Sequence, residues 1–261
     1  AWLCGVWKRE WIQKPYTATR ASTQVAYYLQ TPLAFVDVRD DVGATPAHAF
    51  AGLARVDDEE AGFQAGVGND GPIITWHSTH TLGRPLPLPE ETWRLAAAGE
   101  LPSSSDMALA VFRDARGELT GPPEGMSEKG QRWLEYGLPF DDDQSPPFEL
   151  TQPLGAKPQH IEAWTLVEAA TRLAAARRAD AMLVVVGDWF GYARGRGAAH
   201  AEQFCIGRVS SGWVISHSTD PSLRRHKLVV DGLDGWQTIQ PTANKEKSHD
   251  GGYLLSTWSR I

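Results

Sequence analysis

The stretch from Met182 to Arg194 carries the side chains best suited to chemistry. Taken as one strand, its alternation puts Val184, Val186, Asp188, Phe190, Tyr192 and Arg194 on one face. A carboxylate, a phenol and a guanidinium aimed into one cavity can polarise a carbonyl and move a proton. Asp188 would be the base, Tyr192 the acid or hydrogen-bond donor, and Arg194 the oxygen holder. The plainer alternative is a rim ion pair beside a core tyrosine. Phe35, Asp37 and Arg39 share a face in the same way. A buried Asp–Arg pair is costly unless satisfied, so it asks for further partners or for a role. Arg9 falls between Trp7 and Trp11 on one face, where it stacks on indole or clamps an anion or carbonyl.

His77 sits in Thr75-Trp76-His77-Ser78-Thr79-His80, where alternation groups Thr75, His77 and Thr79 against Trp76, Ser78 and His80. On a strand, His77 and His80 do not easily share a metal. In a turn they would, with His48 or His217 as third ligand. The expectation is no metal, with His77 as a general base or as a structurally satisfied histidine. His217 shares a face with Trp213 and Ile215. Trp11, Trp76, Trp189 and Trp213 are the candidate pocket walls. There is no G-x-S-x-G elbow, and Gly195-Arg196-Gly197 lacks the strand–loop–helix setting and the Lys of a nucleotide loop. Cys205 reads as a small core residue. No cofactor is expected.

The elements that must position these residues are mostly strands. Period-2 alternation marks Trp7–Trp11, Gln24–Gln30, Ala34–Arg39, Phe50–Val56, Gly62–Val67, Ile73–Thr79 and Met107–Arg113. It also marks Met182–Arg194, Glu202–Val209, Gly212–Ser218 and Tyr253–Arg260. Thr31-Pro32 and Ser210-Ser211 supply tight turns. Ile161 to Arg178 is the strongest helical candidate, although Glu162 to Glu168 also reads as a strand before an Ala-rich helix. Gly121 to Pro158, rich in Pro and Asp, predicts a long loop or cover. The fold expected is all-β: a mainly antiparallel barrel with a loop or helical insertion, spanning 1–261 as one domain. The alternative is a first barrel over 1–120 and a second over 121–261.

Composition narrows the partners. The 261 residues hold 25 Lys+Arg against 32 Asp+Glu, a formal net charge of -7. An acidic chain without a basic block argues against nucleic acid and anionic membrane surfaces. No apolar run reaches the length of a membrane span, and no basic-then-apolar leader is present, so a cytoplasmic location is expected. Ala1 in place of Met points to trimming. The two cysteines, Cys4 and Cys205, are too few for a disulfide framework. The 11 Trp stand out, since typical usage supplies roughly three or four. They suit a barrel with an aromatic interior.

Several motifs resemble known proteins. Gly5-Val6-Trp7 and the late Thr257-Trp258-Ser259-Arg260 look like the lipocalin (calycin) pattern, in which a G-x-W closes the barrel base under an Arg. Tyr28-Leu29-Gln30-Thr31-Pro32, Val36-Asp37-Val38-Arg39, Phe50-Ala51-Gly52, Trp76-His77 and Val186-Gly187-Asp188-Trp189-Phe190-Gly191-Tyr192-Ala193-Arg194 resemble an uncharacterised bacterial lipocalin-like family. That family usually has His where Trp189 stands, and an Arg with an acidic residue soon after the Trp-His pair. Here Ser78-Thr79-His80 follows instead. The resemblance implies a barrel with an internal pocket and no particular reaction.

The function expected is binding of a small apolar or aromatic organic molecule. Cofactor-free acid–base chemistry (isomerisation, cyclisation or addition/elimination) would act on it. A carrier or sensor, and a protein-interaction barrel with outward Trp, are the alternatives. A homodimer is compatible with each.

Overall fold

The computed structural model describes residues 2–14, 20–21, 24–40, 47–57, 71–83, 107–113, 116, 119–121, 123–138, 160–169, 172–178, 180–196, 201–230 and 236–239. Strands β1 (Gly5–Gln13), β2 (Ala26–Gln30), β3 (Ala34–Arg39), β4 (His48–Asp57), β5 (Ile73–Thr81) and β6 (Met107–Arg113) are antiparallel neighbours in chain order. After β7 (Leu119–Thr120), a short addition to β6, come β8 (Arg132–Leu138) on β6 and β9 (Ile161–Ala169) on β8. Strand β9 then pairs with β1, so that eight strands, all of these but β7, close an antiparallel barrel. Closure leaves no open edge, and the architecture is lipocalin-like.

A second sheet follows, which the sequence does not announce. Strands β10 (Leu173–Arg178), β11 (Ala181–Val186), β12 (Trp189–Arg194), β13 (Gln203–Arg208) and β14 (Val214–Ser218) form a meander. With β15 (Gln237–Thr238) beside β10 they make a six-stranded sheet. It lies against the outer wall of the barrel. Val6, Leu29, Val36 and Ala51 on the wall share one buried cluster with Met182, Val184, Val186, Phe204 and Ile206 on the sheet. Strand β11 is buried at all six positions because its other face is covered too, with Leu183 and Val185 under Leu228 and Trp236. The barrel interior is a separate cluster built on Trp2, Trp7, Trp76, Trp133 and Trp164.

Three expectations are corrected here. Ile161 to Arg178 is not helical but forms β9 and β10. Glu162, Trp164 and Leu166 alternate into the barrel, and the Ala run of β10 pairs residue for residue with β11, so strand pairing overrides Ala's helix propensity. Gly121 to Pro158 is not all loop, since it supplies the barrel strand β8. Met182 to Arg194 is not one strand but a hairpin turning at Gly187, where φ is +57°. Among the described residues the one helical element is the 3-10 turn Pro221–Leu223, and no helix is long enough to cross a membrane. The expected strands Gly62–Val67 and Tyr253–Arg260, together with Trp93, Trp258 and Asp141–Asp143, lie outside the described residues.

Candidate functional site

The floor of the barrel is aromatic. Trp7 turns inward from β1 and donates its indole N–H to the Leu3 carbonyl at 2.7 Å. Gly5 beside it has φ +155°, a conformation that side chains rarely adopt, and a Cβ there would press on the Leu166 side chain. Trp133 packs edge-on against Trp2 and Trp7, with centroids at 5.7 and 5.9 Å, and stacks on Trp164 at 6.4 Å.

Above this floor the inward positions turn polar. Arg9 of β1 donates to Glu162 Oε1 at 2.7 Å and to Gln24 at 3.1 Å. Arg39 of β3 reaches the same Glu162 oxygen at 2.9 Å and holds Asp37 through its Nε and Nη2, at 3.1 and 3.0 Å. Glu135 of β8 accepts from Trp164 Nε1 at 2.9 Å and lies 3.3 Å from His160 Nε2. Tyr28 donates to Gln30 and accepts from Trp76 Nε1 at 3.1 Å. His160 stands at the start of β9, over Gly137 of β8. A Cβ on that glycine would come within 2.4 Å of the imidazole, so only glycine lets the ring lie there.

Charge balance decides the protonation states. Burial works against ionised Glu162, but Arg39 and Arg9 outweigh it and hold its carboxyl below the usual range. Burial, and then the Glu162 charge, push Glu135 up. Burial also opposes a charged His160, yet its bond to Glu135 raises the imidazole. Two arginines thus face Asp37 and Glu162, and Glu135 faces His160. Tyr28, driven well up by burial, stays neutral.

Tyr28, Asp37, Arg39 and Glu135 line a small cavity with Phe50 and three indoles, those of Trp76, Trp133 and Trp164. Its volume is about 30 Å³, room for a few atoms. Arg39, 16% exposed, stands at the mouth beside Phe50. Glu135, His160 and Glu162 offer ligand atoms within 4.8 Å of one another, the one such trio among the described residues. Both oxygens of Glu162, however, face Arg39, and one also faces Arg9. A cation would have to displace guanidinium charge to bind, and the trio reads better as an ion-pair network than as a metal centre.

The other anticipated site residues lie elsewhere. The hairpin splits the Asp188 set. Trp189 shares the barrel-facing surface with Val184 and Val186, whereas Phe190, Tyr192 and Arg194 fall on the opposite face. Asp188 sits in the turn, accepting from the Ser210 backbone and hydroxyl at 2.7 and 2.8 Å, and is held below its usual range despite burial. Tyr192 is buried against Leu183 and Cys205, and burial pushes its phenol up to about 12. Neither reaches the barrel interior.

Bulges redirect three more side chains. An extra residue, Glu10, in the β1–β9 pairing turns Trp11 outward, away from Trp7 and Arg9, to stack with Arg20 at 4.3 Å. A bulge at Ser216 puts His217 on the barrel-facing side, opposite to Ile215. There it bonds Asp40 at 3.0 Å and packs on Tyr27 at 4.5 Å. A bulge at Thr79 puts His80 on the outer wall with His77, while Trp76 points inside. Trp213, at φ +63°, packs on Phe190 far from the barrel core. Trp189 lies between Tyr27 at 5.3 Å and Arg208 at 3.7 Å.

Arg9, Asp37, Arg39 and Trp76 are therefore the anticipated residues that meet in one place. Glu135, His160 and Glu162 were missed because their segments read as loop and helix. The signal was there: Trp133-Leu134-Glu135 and Glu162-Ala163-Trp164 alternate as inward–outward pairs. No protein-family model, curated protein or solved structure matches the chain. The barrel is the common ground with lipocalin-like proteins.

Proposed function

We propose that the polar end of the barrel binds a small, mostly apolar or aromatic molecule, and that Glu135 and His160 exchange a proton with it. The same proposal places the chain among the bacterial lipocalin-like proteins its motifs resemble. One observation carries it. A buried carboxylate, Glu135, lines the aromatic cavity and lies 3.3 Å from the part-exposed imidazole of His160. Such a pair can act as acid and base near neutral pH, as isomerisation, cyclisation or addition/elimination requires. Arg39 would hold an oxygen of the molecule, with Trp76 and Trp164 walling the cavity around its head. The cavity takes only the head of such a molecule, and the rest would lie at the mouth beside Phe50 and Arg39.

Native mass spectrometry of protein taken from its own host tests the binding step, and a retained neutral aromatic or apolar molecule is the expected result. Incubation with that molecule should give turnover that falls at least a hundredfold, the order of general acid–base catalysis, in Glu135→Gln and His160→Gln. Unchanged turnover in both variants would rule out the proton step. A non-catalytic carrier is the second reading, favoured by the small cavity and by the full pairing of Asp37 and Glu162. It predicts retention of the molecule without turnover. A surface-interaction role is less well supported, since none of the nine described tryptophans is exposed.

A further inference from the structure

We infer that the indole N–H of Trp133 is the hydrogen-bond donor for the bound molecule, which therefore carries a neutral acceptor oxygen, a carbonyl or ether, on its apolar frame. This rests on the pocket proposed above. Of the three indoles lining the cavity, Trp76 gives its N–H to Tyr28 at 3.1 Å and Trp164 gives its own to Glu135 at 2.9 Å. Trp133 is 1% exposed, and its N–H has no acceptor. A buried donor left unpaired is costly, and most buried donors are paired. Trp133 has little freedom to seek a partner, because Trp2 and Trp7 hold it edge-on and Trp164 stacks on its face. Trp133 lines the cavity, so a molecule bound there can supply the missing acceptor.

Size and charge define the rest of that group. About 30 Å³ admits an oxygen and the carbon that bears it, not a ring. The surrounding ionisable groups are already paired: Arg9 and Arg39 face Asp37 and Glu162, and Glu135 faces His160. A carboxylate would add a fourth acid to this set, and an ammonium would compete with the two arginines. A neutral oxygen disturbs neither balance.

Acetophenone, ethylbenzene and benzoate are matched probes, titrated into protein labelled with ¹⁵N at its indoles. Acetophenone should shift the Trp133 Nε1–H resonance, identified by its loss in Trp133→Phe. It should bind about three- to tenfold more tightly than ethylbenzene, the range for one neutral hydrogen bond. Trp133→Phe should abolish that ratio while keeping ethylbenzene affinity. Equal affinity for the two probes, or a ratio that survives in Trp133→Phe, would overturn the donor role, assign the N–H to a trapped water, and leave the pocket standing. Tighter binding of benzoate would overturn the neutral class. If no probe moves any of the three cavity indoles, the pocket itself fails and this inference with it. Should Trp133→Phe not fold, the acetophenone-to-ethylbenzene ratio on the wild-type protein decides alone.

Discussion

Glu162 is completely buried and accepts from two guanidiniums, Arg9 at 2.7 Å and Arg39 at 2.9 Å. Removing its charge leaves one buried arginine unpaired. Glu162→Gln should therefore cost about 3 kcal/mol in urea unfolding, the scale for breaking one side of a buried pair. Its depressed carboxyl contributes stability above the unfolded carboxylate range, near 4.3, that is lost as pH falls through the folded value. His160 acts with opposite sign. Its raised imidazole contributes stability fully present below about 6.5 that is lost as pH rises through the folded value. Glu162→Gln should flatten the acid limb of a stability–pH curve and His160→Gln the alkaline limb. At this scale the sequence was half legible. Asp37 and Arg39 are two apart on one short strand, so alternation pairs them without further knowledge. Glu135 and Glu162 are 27 positions apart in sequence, and only β8–β9 pairing makes them neighbours.

Strands are where local rules held, and hairpins and bulges are where they failed. Alternation located β1 to β6 because each buries one face in the barrel and a run of apolar residues is enough to mark it. It failed at Gly187, where a two-residue turn reverses the chain within an unbroken apolar stretch. It failed again where Glu10, Thr79 and Ser216 add one residue to a strand and invert the faces beyond. Sheet and barrel wall meet closely at Gly191 of β12, where a Cβ would stand 2.9 Å from Val36 Cβ. Both groups are held by strands, so neither yields cheaply. Gly191→Ala should destabilise the protein by about 1–3 kcal/mol through overpacking. Thermal unfolding measures that loss, and Val36→Ala in the same chain should recover part of it.

Barrel and second sheet form one packed body, and two polar contacts sit in the seam. Asp40, just after β3, accepts from His217 of β14 at 3.0 Å and pairs with Arg224 at 3.3 Å. His80, on the outer wall, is 2% exposed beside the backbone of Asp180. Burial lowers its imidazole to about 4, so it stays neutral in the folded protein. Its stability contribution is present above about 6.5, the unfolded value, and is lost as pH falls toward about 4. That loss amounts to roughly 3 kcal/mol, from about 1.4 kcal/mol per unit. Protection factors of β11 and β12, with intrinsic exchange corrected for pH, should fall across this window, and His80→Gln should remove the fall. Unaltered protection in the wild-type protein down to pH 4 would show that the seam does not depend on a neutral His80.

By itself the sequence determined an all-β protein with an aromatic interior. Alternation and the 11 Trp depend only on near neighbours and on composition. It also determined Arg9, Asp37, Arg39 and Trp76 as inward residues, because each lies on a strand segment free of bulges before it. Tertiary structure decided the rest. Ring closure through β8 and β9 brought Glu135, His160 and Glu162 to the arginines, and a turn and two bulges sent Asp188, Tyr192, Trp11 and His217 elsewhere. Which strands pair, and where one residue is skipped, depends on long-range hydrogen bonding and packing. Local periodicity carries no record of either.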